Sequence, residues 1–197
     1  MELDGNILHI DSLIAVTIGI IVLFVGRRLN DGISFLREYS IPEPVTGGLL
    51  FSILFGLVYL LLNVEVEFNL AARDILLVYF FTTIGINSSV RDLISGGRPL
   101  TILLLITVAF MVTQNLVGIG GAWLFDLPAA VGVIGGTVSL VGGHGTTIAW
   151  APQIAENFGI SNAMEIGITS ATIGLILASL MGRPVAKFLI KRHKLQP

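Results

Sequence analysis

Polar and apolar positions segregate into long blocks along this chain. Six stretches carry no Asp, Glu, Lys or Arg: Ser12–Gly26, Pro44–Val64, Ile75–Val90, Pro99–Phe125, Leu127–Ala155 and Ile166–Gly182. A helix needs roughly 20 mainly apolar residues to cross a hydrocarbon core. The pattern predicts transmembrane helices over about 10–28, 44–63, 74–94, 99–124 and 163–185. The stretch between the last two, LPAAVGVIGGTVSLVGGHGTTIAWAPQIA, differs because Gly142-Gly143-His144-Gly145 stands near its middle. A half-helix of about 13 residues rises roughly 20 Å, past the midplane and short of the far side. This segment, about 127–158, is predicted to be a re-entrant hairpin. Non-helical backbone at that depth must lie inside protein or beside water.

The distribution of charge favours that hairpin. With the N-terminus outside and five crossings, ten of the 11 Lys and Arg residues fall inside and Arg73 alone falls outside. That is the positive-inside asymmetry. A full crossing by the hairpin segment would carry the basic tail, Arg183 to Lys194, outside and erase it. An odd number of crossings also means that a second copy following in the same chain would be inverted, as in inverted-repeat transporters. Residues 1–197 show no internal duplication and read as a single repeat unit. The expected fold is therefore an all-α integral membrane protein. It has five transmembrane helices and one re-entrant hairpin, forming one half of an inverted-repeat secondary transporter.

Composition removes other classes. Hydrophobic residues make up 54% and charged residues 12%, with a mean hydropathy of +0.90. Soluble domains carry about 25% charge, so neither a soluble nor a disordered chain is expected. A net charge of -2 gives no reason to expect nucleic acid. Cysteine is absent, which excludes disulfides, thiolate metal sites and a cysteine nucleophile. There is no HExxH and no carboxylate pair within a span, so no enzyme is expected. Glu2 and Asp4 stand where a signal peptide would carry cations.

The candidate chemistry lies at the glycine tip. Glycine lets backbone leave a helix and approach a ligand closely. Gly142, Gly143, His144, Gly145, Thr146 and Thr147 would begin a second half-helix whose free N–H groups and positive dipole end suit a carboxylate. Carbonyls near Ser139–Val141, with the hydroxyls of Thr137 and Ser139, would suit a cation such as sodium. The competing reading is a flexible linker between two short interfacial helices. His144 is either a functional intramembrane ionisable group or a neutral ring that fixes the tip. With no second His or Cys nearby, no transition metal is expected.

Polar residues also interrupt two spans. Thr82 to Ser89 predicts a break near Gly85, with Thr83 lining a cation site, Asn87 a substrate site, and Ser88 beside them; interhelical hydrogen bonding is the alternative. Gln114 and Asn115 are candidates for cation binding or for packing between helices. Ser170, Gly174, Ala178 and Gly182 form a small-residue stripe expected to serve helix contact. Asn162 is expected to cap the last helix near Glu165. Ile41-Pro42-Glu43-Pro44 predicts a kinked start to the second span, with Gly47-Gly48 packing tightly.

Several of these segments resemble one family. IPEPVTGGLL (41–50), FFTTIGINSS (80–89), TQNLVGIGGA (113–122), GTVSLVGGHGT (136–146) and ATIGLILASLMGRPVAKFLIKRH (171–193) are similar to the N-terminal half of bacterial sodium/glutamate symporters. The resemblance covers nearly the whole chain, and VSLVGGHGT is its most specific element. It implies sodium-coupled glutamate symport through the bacterial inner membrane, with the C-terminus cytoplasmic. Sodium is the coupling ion and no cofactor is implied. It also implies two inverted repeats with a hairpin each, an elevator-like step and a homodimer of the full carrier in lipid. The site carries over to Ser139, Gly142, Gly143, His144, Gly145 and Thr146. Family members have a second half, so a complementary C-terminal half or partner chain is expected; a natural half, a split gene and a truncated record all fit. Two alternatives remain: transport of another carboxylate anion such as citrate, and a non-transporting membrane fragment or assembly subunit.

Overall fold

A computed structural model describes residues 2–194 of the chain. Helices dominate it, because a helix satisfies its own backbone groups where apolar side chains leave no water to do so. Four of them are long and apolar enough to cross a membrane: α1 (Ser12–Gly32), α3 (Glu43–Leu62), α6 (Gly97–Leu124) and α9 (Ala163–His193). A short α2 (Ser34–Glu38) joins the first two. Pro42 in extended conformation and Pro44 in the first turn start α3 where the sequence demands it, and Asn63 at φ 51° ends it.

The third expected span divides. Helix α4 (Ala71–Asn87) runs unbroken through Gly85, and α5 (Val90–Ser95) follows after Ser88 and Ser89. The expected break at Gly85 is therefore displaced. One glycine inside a helix costs only about 1 kcal/mol, whereas Asn and Ser side chains compete directly for backbone partners. At 17 residues, α4 rises about 26 Å, near the lower limit for a crossing.

A small sheet was not expected. Strand β1 (Glu2–Asp4) pairs antiparallel with β2 (Ile7–Ile10), which pairs parallel with β3 (Glu65–Phe68) between α3 and α4. The predicted start of the first helix at residue 10 is thus a strand end. Glu65-Val66-Glu67-Phe68 alternates with period two, the pattern of a half-exposed strand. His9 lies opposite Glu67, with Nδ1 3.0 Å from Oε2.

The chain forms two compact units. The first takes in Met1–Ile86 with Ser179–Pro197, and the second Asn87–Ala178. In the first, α1 and α3 meet backbone to backbone. A Cβ on Gly26 would strike the Glu43 carbonyl and come within 2.8 Å of the Gly47 nitrogen, and one on Gly47 would strike the Val22 carbonyl. Next to this crossing, Thr46 Oγ1 donates to Asn30 Oδ1 (2.8 Å) and Asn30 Nδ2 donates to the Ile41 carbonyl (2.7 Å). The Ile41–Pro44 corner is therefore fixed by a side chain of α1. At the other end of α1, Ser12 Oγ accepts the Ala72 N–H at 3.1 Å. The Arg183 guanidinium donates to the Glu38 carbonyl.

The α1–α3 crossing gives a prediction with a built-in control. Gly47→Leu should destabilise the protein by about 1–3 kcal/mol through overpacking. Gly48→Ala, whose added Cβ meets nothing within 4 Å, should leave stability unchanged. Thermal unfolding in detergent compares the two; equal loss in both would contradict the crossing.

Candidate functional site

The second unit is built around Leu127–Gly159. Pro128 in extended conformation starts the first arm, which runs as α7 (Ala129–Val133) and then as a wide π-type turn over Ile134–Val138. Gly136 there adopts φ -95°, ψ -117°, outside helical space. The distortion frees the Thr137 N–H, which donates to Asn115 Oδ1 on α6 at 3.4 Å. Thr137 Oγ1 donates to the Met111 carbonyl at 3.1 Å. Such single wide turns are frequent at functional sites.

At the tip, the N–H groups of Val141 and Gly142 both donate to the Thr137 carbonyl at 3.1 Å. The chain then turns at Gly143, whose φ of +76° disfavours any side chain. Helix α8 (Gly143–Phe158) begins there with no side-chain cap. Its first four N–H groups lack partners within the helix and carry the positive end of its dipole. Thr146 and Thr147 donate instead to the carbonyls of Gly142 (3.0 Å) and Gly143 (2.9 Å).

The two arms lie side by side. Ser139 Oγ and Thr147 Oγ1, about equally far from the tip, are 3.0 Å apart. Ile134 shares one buried cluster with Ala151 and Ile154 of the other arm, together with Ile160 and Ala163. Ser139 and Thr147 are 1% and 0% exposed. Ser139 Oγ also contacts the Ile134 carbonyl. The two hydroxyls bring two protons to three contacts, so oxygen lone pairs are in excess in this buried cluster. Gln114 Oε1 adds another: it is buried and has no donor among the described residues.

Small residues let neighbouring helices carry the hairpin. Gly118 on α6 and Gly132 on the first arm meet backbone to backbone, since a Cβ on either would strike the other's carbonyl. On α9, Ala163, Gly167 and Ala171 are buried. A Cβ on Gly167 would strike the Thr147 methyl and lie 3.2 Å from Ser139 Oγ. Of the small-residue stripe expected from the sequence, Ser170 packs beside Gly135 and the C-terminal half makes no such contact. Ala178 is exposed and an added Cβ on Gly182 meets nothing, whereas Gly174 touches Leu140. His144 lies in the first turn of α8, with Nε2 2.9 Å from Thr172 Oγ1 of α9. Asn162 contributes its backbone carbonyl to the start of α9.

Gly142, Gly143, His144, Gly145, Thr146 and Thr147 are therefore contiguous at the tip, and Thr137, Ser139 and Asn115 gather along the first arm. Asn87 ends α4 and is exposed. Thr83 belongs to the first unit and donates to the Phe80 carbonyl at 2.8 Å. Sequence reading missed Gly132, Gly167, Met111 and Thr172. A four-residue spacing from Ala163 through Gly167 to Ala171 was the available signal for one of them.

The chain is similar to known carriers. A model of the sodium/glutamate symporter family matches residues 8–197. The sodium/glutamate symporters of Escherichia coli (strain K12) and Shigella flexneri are each 41% identical over 189 residues, covering 96% of this chain and 47% of theirs. That of Haemophilus influenzae is 36% identical over 174 residues, covering 88% and 43%. The chain spans about half the length of the curated relatives it matches. No solved structure matches it.

The hairpin's seat on α9 is testable. Gly167→Val should lower stability by about 1–3 kcal/mol by wedging Thr147 and Ser139 away from α9. Gly121→Ala, with nothing within 4 Å of the new Cβ, should not. The midpoints of thermal unfolding decide, and an unshifted Gly167→Val midpoint would rule out the packing described.

Proposed function

The chain belongs to the sodium/glutamate symporter family, and on that premise we propose that it forms one half of a carrier that takes up glutamate with sodium across the bacterial inner membrane. The observation that carries this reading is the uncapped start of α8 at the tip of a helical hairpin. In the proposed topology the N-terminus is outside and the C-terminus inside. Helices α1, α3, α4 with α5, α6 and α9 cross, and Leu127–Gly159 enters and leaves from the outer face. The distribution of Lys and Arg supports this orientation.

The tip supplies the chemistry. A carboxylate of glutamate binds the free amides of Gly143, His144 and Gly145, where a helix dipole favours an anion without any Lys or Arg. Thr146, Thr147 and Asn87 complete the substrate site. Sodium binds oxygen donors, and the excess lone pairs of Thr137, Ser139, Gln114 and Asn115 fit it. One hairpin thus holds cation and anion, so filling one site stabilises the arrangement needed by the other. A complementary C-terminal half or partner chain supplies the second, inverted hairpin, and two such carriers pair as a homodimer.

Uptake by proteoliposomes tests the reading. With its complementary half, the chain should accumulate labelled glutamate under an inward sodium gradient, and citrate should compete poorly. Uptake indifferent to sodium would overturn the coupling. Gly143→Leu should cut uptake by more than about tenfold, because a side chain at positive φ costs roughly 1–2 kcal/mol and crowds the amides. Gly143→Asn should retain far more, since Asn tolerates that conformation. Normal uptake by a well-inserted Gly143→Leu variant would exclude the tip as the substrate site.

A further inference from the structure

The protons around His144 can be counted. Thr172 Oγ1 donates its single proton to the Ile168 carbonyl at 2.9 Å, one turn back along α9. That hydroxyl can then only accept at its second contact. The partner there is His144 Nε2 at 2.9 Å, so Nε2 carries the ring proton and donates. Among the described residues no Asp or Glu pairs with the ring, the two ion pairs being His9–Glu67 and Arg73–Asp74. Among the described residues nothing therefore compensates a second ring proton, and a charge in such a place requires a partner. The neutral ring keeps its lone pair on Nδ1, for which no described residue supplies a donor.

The tip thus offers donors and an acceptor of opposite preference within one helical turn. The amides of α8 favour negative charge, and the lone pair on Nδ1 of His144 favours a hydrogen-bond donor. A group that matches both is the head of an amino acid, with its carboxylate and its ammonium on the same carbon. We propose that His144 is the specificity-determining residue that admits amino acids over carboxylates lacking an amine. It does so by accepting a hydrogen bond from the substrate ammonium at Nδ1. Thr172 is a positioning residue, acting through the ring by holding its Nε2–H tautomer. This rests on the hairpin tip being the substrate site. A ligand without the amine leaves Nδ1 desolvated and unpaired, which is the kind of mismatch that gives strong rejection.

Glutarate, which is glutamate without the amine, is the probe. Against labelled glutamate in proteoliposomes holding the chain and its complementary half, glutarate should compete about 10- to 100-fold more weakly than unlabelled glutamate, the range expected of one charge-assisted hydrogen bond. His144→Leu should shrink that preference to within about threefold, mostly by weakening glutamate. His144→Asn, whose Oδ1 falls near the position of Nδ1, should restore much of it. Thr172→Val should narrow the preference through loss of the tautomer. Nitrogen NMR of labelled histidine in the wild-type chain should show Nδ1 unprotonated and Nε2 protonated. A protonated Nδ1, equal competition by glutarate in the wild type, or an undiminished preference in His144→Leu would each overturn this inference alone. Absence of sodium-driven glutamate uptake by the wild type would overturn the functional reading, and the inference with it.

Discussion

Hydrocarbon offers a peptide group no hydrogen-bond partner, and this constraint orders the structure. Where the helix is intact, the backbone satisfies itself. Where the chain must break, each released group needs a named substitute. The wide turn at Gly136 releases the Thr137 N–H, and Asn115 of α6 takes it up. The turn at the tip takes the amide of Gly142 out of the helical pattern, and the Thr137 carbonyl, which already accepts from Val141, accepts it too. What remains is the start of α8, whose amides have no side-chain cap. Position 142 carries no side-chain oxygen that could accept from those amides. The sequence has glycine there, and the open amides are what a ligand can use.

The proposed roles divide along the same turn. Lone pairs in excess accumulate on the first arm and around Ser139 and Thr147, while unpaired donors accumulate at the start of α8. Opposite electrostatic preferences arise a few residues apart from backbone geometry alone, without a Lys, Arg, Asp or Glu between Leu127 and Ala155. In the proposed carrier, this is how so apolar a segment would serve as a polar centre. Close glycine contacts at Gly118 with Gly132, and at Gly167, hold the arms near their neighbours. Their bare backbone fixes the position of groups that no longer have a regular helix to fix them.

Much of this was legible in the residues. Long charge-free runs identified the helices, because burial in lipid requires them. Gly142-Gly143-His144-Gly145 located the tip, because glycine adopts the positive φ found at Gly143 at least cost. Other features were hidden for equally physical reasons. Helix α4 passes Gly85 because a lone glycine is a weak breaker beside Asn87, Ser88 and Ser89. The wide turn at Gly136 could not be read, since Gly135-Gly136 resembles any helix-packing pair until Asn115 is brought next to it. Thr172 carried no signal at all: its role comes from a partner 28 positions away in sequence. The sheet was legible in the alternation of Glu65 to Phe68, but the neighbouring apolar blocks outweighed so short a pattern.

That sheet ties three helices by main-chain bonds. Strand β2 leads directly into α1, and β3 links the end of α3 to the start of α4. Because peptide groups make the attachment, most side chains there are interchangeable as far as the tie is concerned. The exception is proline, which lacks the N–H that the ladder uses. At those positions of Ile7–Ile10 and Glu65–Phe68 whose N–H enters the ladder, the fold is therefore lenient about chemistry and strict about one imino acid.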